Sequence, residues 1–331
     1  MPTGRGPQST LSVAVALGTV YLVWGSTYLA IAYVVETLPP ILSGGIRFLI
    51  AGSLLLAFIL AQAWWRRRRD PTARVARPRL VEWRTAAIVG VFLLLGGNGL
   101  VSVAEQRIPS FIAAVIIATV PIWMTVGEAI LIRRMPGPLA IVGLLVGLVG
   151  VAILLLPSGD IDAIDPIGVA IVVGSALSWT AGSLYARRAP LPANQLMGSG
   201  MEQLIGGSVM LGVAVLLGEF ASLEPGSVST ASLLGLLYLI VFGSLIAFTA
   251  YVWLLEHAPI TTVATYAYVN PVVAVFLGLV LRDEPMTPRT LLATALIIGA
   301  VVAMVSGRPR GAEEAGPGPE VAALEPADDA A

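Results

Sequence analysis

The chain has 331 residues, 57% of them hydrophobic and only 12% charged, with a mean hydropathy of +0.88. That composition excludes an ordinary soluble domain and describes a chain dissolved in lipid. The net charge of −1 says nothing about partners, and the absence of cysteine excludes disulfides, thiolate nucleophiles and thiolate metal sites.

Apolar runs fall near 12–34, 40–64, 85–104, 110–132, 138–156, 166–186, 194–218, 231–255, 260–281 and 288–306, each bounded by Pro, Gly or charge. Each is close to the roughly 20 residues that cross about 30 Å of hydrocarbon. The spacing therefore predicts an all-α integral membrane protein of about ten transmembrane helices, preceded by a short N-terminus over 1–11. AIA at 30–32 followed by Tyr33 has the small residues of a signal-peptide cleavage site. The first run is nonetheless read as a permanent helix, because its pattern returns later in the chain.

The first helix presents Tyr21, Trp24 and Tyr28 on one face. Trp24 falls near mid-depth, where an aromatic ring either holds an apolar, aromatic or cationic ligand or simply fills space. The second helix carries Arg47 within GGIRFLIAG, a charge that costs roughly 2.5 to 3.5 kcal/mol at the centre of an inserting helix and so requires a partner or a watery surface. This helix ends in Trp64, Trp65 and four arginines at 66–69, which with Trp83 mark a membrane–water interface. The arginine run is a topology signal first and a contact for anionic lipid second.

The third helix lines up Asn98, Ser102 and Glu105 at i, i+4 and i+7. These form either the wall of an outward-opening path or a ladder of interhelical hydrogen bonds, each worth about 0.6 kcal/mol. Pro121 in the fourth helix has almost wholly apolar surroundings, and the glycines of GGNG at 96–99 and GLLVGLVG at 143–150 serve close helix approach. The sixth helix presents Ser175 and Trp179, the seventh Glu202, and the eighth ends at His257, the chain's one histidine, read as a group at the helix end interacting with the dipole. On the ninth, Thr262, Tyr266 and Asn270 form a polar stripe ending at Pro271, whose missing N–H frees carbonyls of the preceding turn for water, a side chain or a substrate. From 307 to 331 the chain is rich in Pro, Gly, Ala and acid, and reads as a disordered cytoplasmic tail.

With the N-terminus inside, fifteen arginines fall in cytoplasmic segments and three in external ones, which gives an N-in, C-in orientation. All nineteen basic residues are arginine, which genome composition explains more simply than selection for guanidinium chemistry.

The chain also repeats itself. SGGIRFLIAGSLLL at 43–56 aligns with GSGMEQLIGGSVML at 198–211 with six identities in fourteen positions, an offset of 155 that also sets Trp24 on Trp179. Pro109 and Pro121 match Pro259 and Pro271 at an offset of 150. Two copies follow, 12–156 and 166–306, of five spans each. An odd number of spans makes the second copy enter from the opposite side, so the copies are inverted repeats about an axis in the membrane plane. Arg47 aligns with Glu202, and the two are candidates to neutralise one another; the alternative has Arg47 capping carbonyls near a helix break.

WGSTYLAIA in the first helix, GIRFLIAG in the second, TTVATYAYVNPVVAVFLGLVLRDEP near the end and the two five-helix halves together resemble the EamA-type permeases of the drug/metabolite transporter superfamily. The resemblance covers about 12–306 and implies ten helices, a cavity between the halves, alternating access and export of small metabolites, amino acids or drug-like compounds. DEP at 283–285 keeps the acidic residue that the family often carries after the ninth span, whereas RRMPG at 133–137 lacks its counterpart after the fourth, and Glu128 does not replace it.

The candidate substrate-binding residues are Trp24, Tyr28, Arg47, Asn98, Trp179, Glu202, Thr262, Tyr266 and Asn270. The expected partners are a small-molecule substrate, membrane lipids and a coupling proton carried by Glu202, Glu105 or Glu256, with no nucleic acid, no metal and no cofactor. The competing reading is an intramembrane enzyme, or a lipid flippase or sensor on the same scaffold. Without HExxH, a thiol or a second histidine, metal or Ser/His catalysis has no constellation, and without GxxxxGK[ST] there is no nucleotide-driven pump.

Overall fold

The computed structural model describes residues 10–70, 77–131, 133, 138–155, 164–192, 194–258, 266–282 and 287–306. Among them every long element is a helix. α1 spans Thr10–Val34, α2 Pro40–Arg69, α3 Leu80–Ala104, α4 Ser110–Leu131, α5 Pro138–Leu155, α6 Pro166–Ala186 and α7 Gln195–Leu216. α8 starts as Thr230–Tyr238 and continues through Leu239–Ala247 into Phe248–His257; α9 is Tyr266–Arg282 and α10 is Pro288–Ser306. Seven of the described helices, α1 to α4 and α6 to α8, are long and apolar enough to cross a membrane, and α5, α9 and α10 carry the shorter apolar stretches Ile141–Gly150, Val269–Arg282 and Pro288–Ala300. Thr262, the DEP segment and the tail lie outside the described residues.

Large apolar side chains such as Phe58, Leu145, Leu216, Leu234 and Phe276 cover the outer faces of the helices. Lipid tails are as apolar as leucine, so the helices associate by close packing and not by burial of oil from water. The most extensive contact joins α2 to α7. A Cβ on Gly52 would collide with the backbone of Leu204, Gln203 and Gly200; one on Gly207 would collide with that of Leu49, Phe48 and Gly45. These two triplets are one another's counterparts at the offset of 155. The side chain of Leu211 fills the gap left at Gly45, and that of Leu56 fills the gap at Gly200, again a reciprocal pair. Since 45 meets 211, 52 meets 204 and 56 meets 200, numbers rise on α2 as they fall on α7, and the two helices run antiparallel. α5 and α10 make a second contact of the same kind, with Gly147 facing Ala300 and Gly150 facing Ile297.

Two helices carry a feature that the sequence periodicity does not announce. Val91–Gly99 in α3 and Leu239–Ala247 in α8 are wound as π-helix, nine residues each. A π turn takes in one residue more than an α turn and is usually found where function demands it. The carbonyls displaced by this winding find donors elsewhere: Ser175 Oγ donates to Gly97 O at 2.8 Å, Ser178 Oγ to Phe92 O at 2.8 Å, and Trp24 Nε1 to Gly243 O at 3.4 Å.

Helix ends are held in specific ways. α2 begins after Pro39, which offers no capping side chain, and the Glu219 carboxylate from the α7–α8 connection accepts the N–H of Leu42 at 2.6 Å and of Ile41 at 3.3 Å instead. Asp165 caps α6 by accepting the Ile167 N–H and is bonded to Arg107 Nη1 at 3.0 Å, which ties the α3–α4 loop to the second half of the chain. Glu36 and Arg282 join the ends of α1 and α9 at 2.8 Å.

Adding one methyl to either seat in the α2–α7 contact leaves no room for the opposing backbone. Gly52→Ala and Gly207→Ala are each expected to destabilise the purified protein by about 1–3 kcal/mol, read as a fall in its melting temperature in detergent. The hydrogen bond from Arg107, followed by that from the Ile167 N–H, holds the Asp165 carboxyl below its ordinary range. A depressed carboxyl stabilises the fold above its unfolded value near 4 and loses that effect as pH falls through the folded value. Asp165→Asn should therefore lower the melting temperature at pH 7, and the difference from wild type should shrink towards pH 3.

Candidate functional site

The site is built around Arg47. α2 places this residue inside the protein, only 7% exposed, and its Nε donates to Ser244 Oγ in the π segment of α8 at 2.9 Å. The neighbouring Gly243 makes the approach possible, since a Cβ there would stand 3.1 Å from Nη2 and 3.4 Å from Thr27 Cγ2. The guanidinium carbon lies 4.6 Å from the centroid of the Phe48 ring, a cation–π contact that offsets part of the desolvation. Beside it is a cavity of about 10 Å³, room for one water, with polar walls from Ser43, Arg47, Asn98 and Ser102 and apolar walls that include Phe48 and Met210. Helices α1, α2, α3, α7 and α8 all contribute to it, so it lies between the two halves of the chain. Asn98 and Ser102 are held by α3 itself, Asn98 Nδ2 donating to Leu93 O at 3.3 Å and Ser102 Oγ to Asn98 O at 3.1 Å.

A second cluster is aromatic. The Trp24 ring stands 5.0 Å from Tyr251 and 5.3 Å from Tyr266, and the two tyrosines are 5.8 Å apart edge to face. Three helices, α1, α8 and α9, meet there. Tyr28 lies one turn further along α1. Trp24 also reaches the π segment of α8, as described above, and Trp179 lies over the π segment of α3, where its Cε3 would stand 2.8 Å from a Cβ on Gly97. The two tryptophans paired by the repeat thus do the same structural work against opposite halves.

The remaining nominated residues are dispersed. Glu202 is half-buried, with its backbone carbonyl against Gly90 of α3. Asn270 is buried on α9 with its carbonyl next to Gly25, and its Oδ1 has no hydrogen-bond partner among the described residues. Thr262 is not among the described residues. The expected pairing of Arg47 with Glu202 is absent: no ion pair or hydrogen bond joins them. In the antiparallel register Arg47 is level with Val209 and Glu202 with Leu54. Seven residues at 1.5 Å each separate the two charges by about 10 Å along the contact. A two-fold axis puts equivalent residues on opposite sides of itself, and only residues on the axis meet their own counterparts.

Sequence reasoning missed Ser244 and Tyr251. The signal was present, because Ser244, Phe248 and Tyr251 repeat the i, i+4, i+7 spacing of Asn98, Ser102 and Glu105 on the matching helix of the other half.

If Arg47 and Glu202 act independently, the loss of stability or activity in Arg47→Ala should not be rescued by adding Glu202→Ala. A double-mutant cycle should give a coupling within about 0.5 kcal/mol, read from melting temperatures of the four proteins.

Comparison with known proteins adds the family. Residues 11–156 and 166–306 each match the model of the EamA-like transporter family. The chain is 40% identical over 294 residues to the "Uncharacterized inner membrane transporter YedA" of Escherichia coli K12, covering 88% of this chain and 90% of that protein. It is 24% identical to the "Uncharacterized transporter YvbV" of Bacillus subtilis, covering 88% and 91% of the two chains, and 24% identical to "Protein PecM" of Dickeya dadantii, covering 85% and 88%. A protein of known crystal structure shares the fold with a TM-score of 0.58 at 22% identity, over 89% of this chain and 96% of the other. With both halves matched and a relative at this identity along nearly its whole length, the chain belongs to the EamA-like transporter family.

Proposed function

We propose that this protein is a transporter of small solutes in the cytoplasmic membrane, built as ten transmembrane helices in two inverted repeats, 12–156 and 166–306, with both termini inside. It works by alternating access between the repeats and exports small metabolites, amino acids or drug-like compounds. The observation that carries this reading is the reciprocal, antiparallel seating of α2 on α7, echoed by α5 on α10. Counterpart helices of two halves inserted in the same direction would run parallel. Counterparts that run antiparallel about a local two-fold are what an axis in the membrane plane requires. Family membership and the name of the YedA relative support both the transport activity and the membrane.

The cavity supports the mechanism by its small size. With room for about one water, it admits a solute only after helices of the two halves move apart. At the end of the bundle where α2 begins, an open vestibule of about 480 Å³ is bordered by Glu36, Pro40, Gln106, Glu219 and Glu224. Arg47 lies seven residues beyond Pro40, about 10 Å deeper. In the N-in orientation this vestibule faces outwards, and the Arg107–Asp165 and Glu36–Arg282 pairs lie in the same layer of loops and helix ends.

Full-length protein in liposomes, offered a metabolite panel with and without a proton gradient, should give saturable flux of unaltered solute. Chemical turnover of solute without flux would instead identify an enzyme, and lipid translocation without solute flux a flippase. The chain has no native cysteine, so a single cysteine introduced at either terminus reports topology directly. Both are expected to label from the cytoplasmic side only, and labelling from opposite sides would overturn the inverted arrangement.

A further inference from the structure

We infer that Arg47 is the recognition group for an anionic solute, and that the transported class carries a carboxylate. The inference rests on the transporter reading above and narrows its substrate.

Arg47 is buried inside the membrane-spanning part of the protein, where a cation ordinarily pairs with an acid. Among the described residues no carboxylate lies within ion-pair distance of it. A guanidinium presents five N–H donors in one plane. Of these, Nε–H is taken by Ser244 Oγ, and the Phe48 ring contributes a face but no acceptor. The charge therefore sits in the protein with a neutral hydroxyl and an aromatic ring in place of a counter-ion. Removing the partner of a buried charge is strongly destabilising, so a site that lacks one permanently is suited to receiving one that comes and goes.

The surroundings favour a planar anion. The Ser43 and Ser102 hydroxyls beside the cavity already donate to Pro40 O and Asn98 O, whereas Asn98 keeps a second amide N–H after its bond to Leu93 O, and Ser244, which accepts from Nε, keeps its own proton to donate. A carboxylate matches the fork of two parallel guanidinium N–H groups, a geometry that lysine does not offer. The opposite walls, including Ile31, Met210 and Leu239, are apolar and fit the organic remainder of the solute. A cationic solute is disfavoured here by the arginine itself. The aromatic cluster gives it no alternative seat, because Trp24, Tyr251 and Tyr266 are packed against one another with centroids 5.0 to 5.8 Å apart.

Matched probes that differ only in the charged group test this on the intact protein. Benzoate against benzamide, phenylacetate against phenylacetamide and L-alanine against L-alaninamide can each be titrated into purified full-length protein, with binding read as a shift in melting temperature, and then offered as competitors of solute flux in liposomes. The expected result is that at least one carboxylate raises the melting temperature and competes, while its amide does neither. Arg47→Gln should weaken the carboxylate response by roughly thirtyfold or more, and Arg47→Lys should retain part of it. Equal responses to carboxylates and amides, no response to any carboxylate, or an unchanged response in a folded Arg47→Gln protein would each overturn the inference. The wild-type comparison decides the matter even if the variant fails to fold. Flux of solutes without carboxylate preference removes the anion site and leaves transport standing, whereas carboxylate binding without flux of any solute does the reverse.

Discussion

The backbones of α2 and α7 touch at two glycine seats, Gly52 and Gly207, and the placement of every other helix around the centre follows from that contact. In a bilayer no hydrophobic force draws apolar helices together, so they are held by the many small attractions that become available when backbones approach closely. Each seat holds the opposing main chain in register, because a shift of one residue along α2 would set Ala51 or Ser53 where only hydrogen fits. Once this register is set, α3 lies on α7 through Gly90 and Gly206, again with main chain against main chain. On the other flank α8 meets α2 through a charged side chain, Arg47 over Gly243, with Ser244 beside it. The α2–α7 contact is thus reciprocal in its backbone, while its surroundings are asymmetric in their chemistry, and the cavity lies on the side of Arg47.

The π segments explain how that chemistry is tolerated. In hydrocarbon each unsatisfied backbone group costs several kcal/mol, so a winding that displaces carbonyls has to supply donors for them. Ser175 and Ser178 do this for α3, and the Trp24 indole does it for α8. Of the residues that sequence inspection singles out on the first and sixth helices, Trp24 and Ser175 thereby serve as braces for irregular backbone.

Much of the architecture was legible before any coordinates. Hydropathy placed most helix ends within a few residues; α2 runs on through the arginines at 66–69, which are good helix formers, α3 starts five residues before its apolar run, at Leu80, and the expected start of the ninth helix lies outside the described residues. The glycines repeated at 45, 52, 200 and 207 are the ones at the α2–α7 contact. Two kinds of information were not legible. Alignment of Arg47 with Glu202 gives their equivalence under the two-fold but not their distance, which depends on where the axis crosses the helices, and it crosses near residue 50 on α2. The π winding has no periodic signature either, because it changes the angular spacing of only nine residues and leaves apolar composition untouched. Ser244 and Tyr251 could have been found from their i, i+4, i+7 spacing with Phe248, which matches that of Asn98, Ser102 and Glu105, but nothing in that spacing shows that Ser244 sits in a π segment.

That altered pitch makes chain length itself a variable here. A helix face is indexed by residue number, at about 100° per step in the α form. Losing one amino acid from 91–99 or from 239–247 would let a wide turn close to an ordinary one with the flanking residues still in phase, whereas rewinding the segment as α-helix at unchanged length would swing everything beyond it. Ser102 and Glu105 in one rod, or Tyr251 in the other, would then turn from the interior towards the acyl chains. A substitution that drives these stretches into α winding would therefore re-aim a whole half-helix, whereas a one-residue deletion would leave it facing as before.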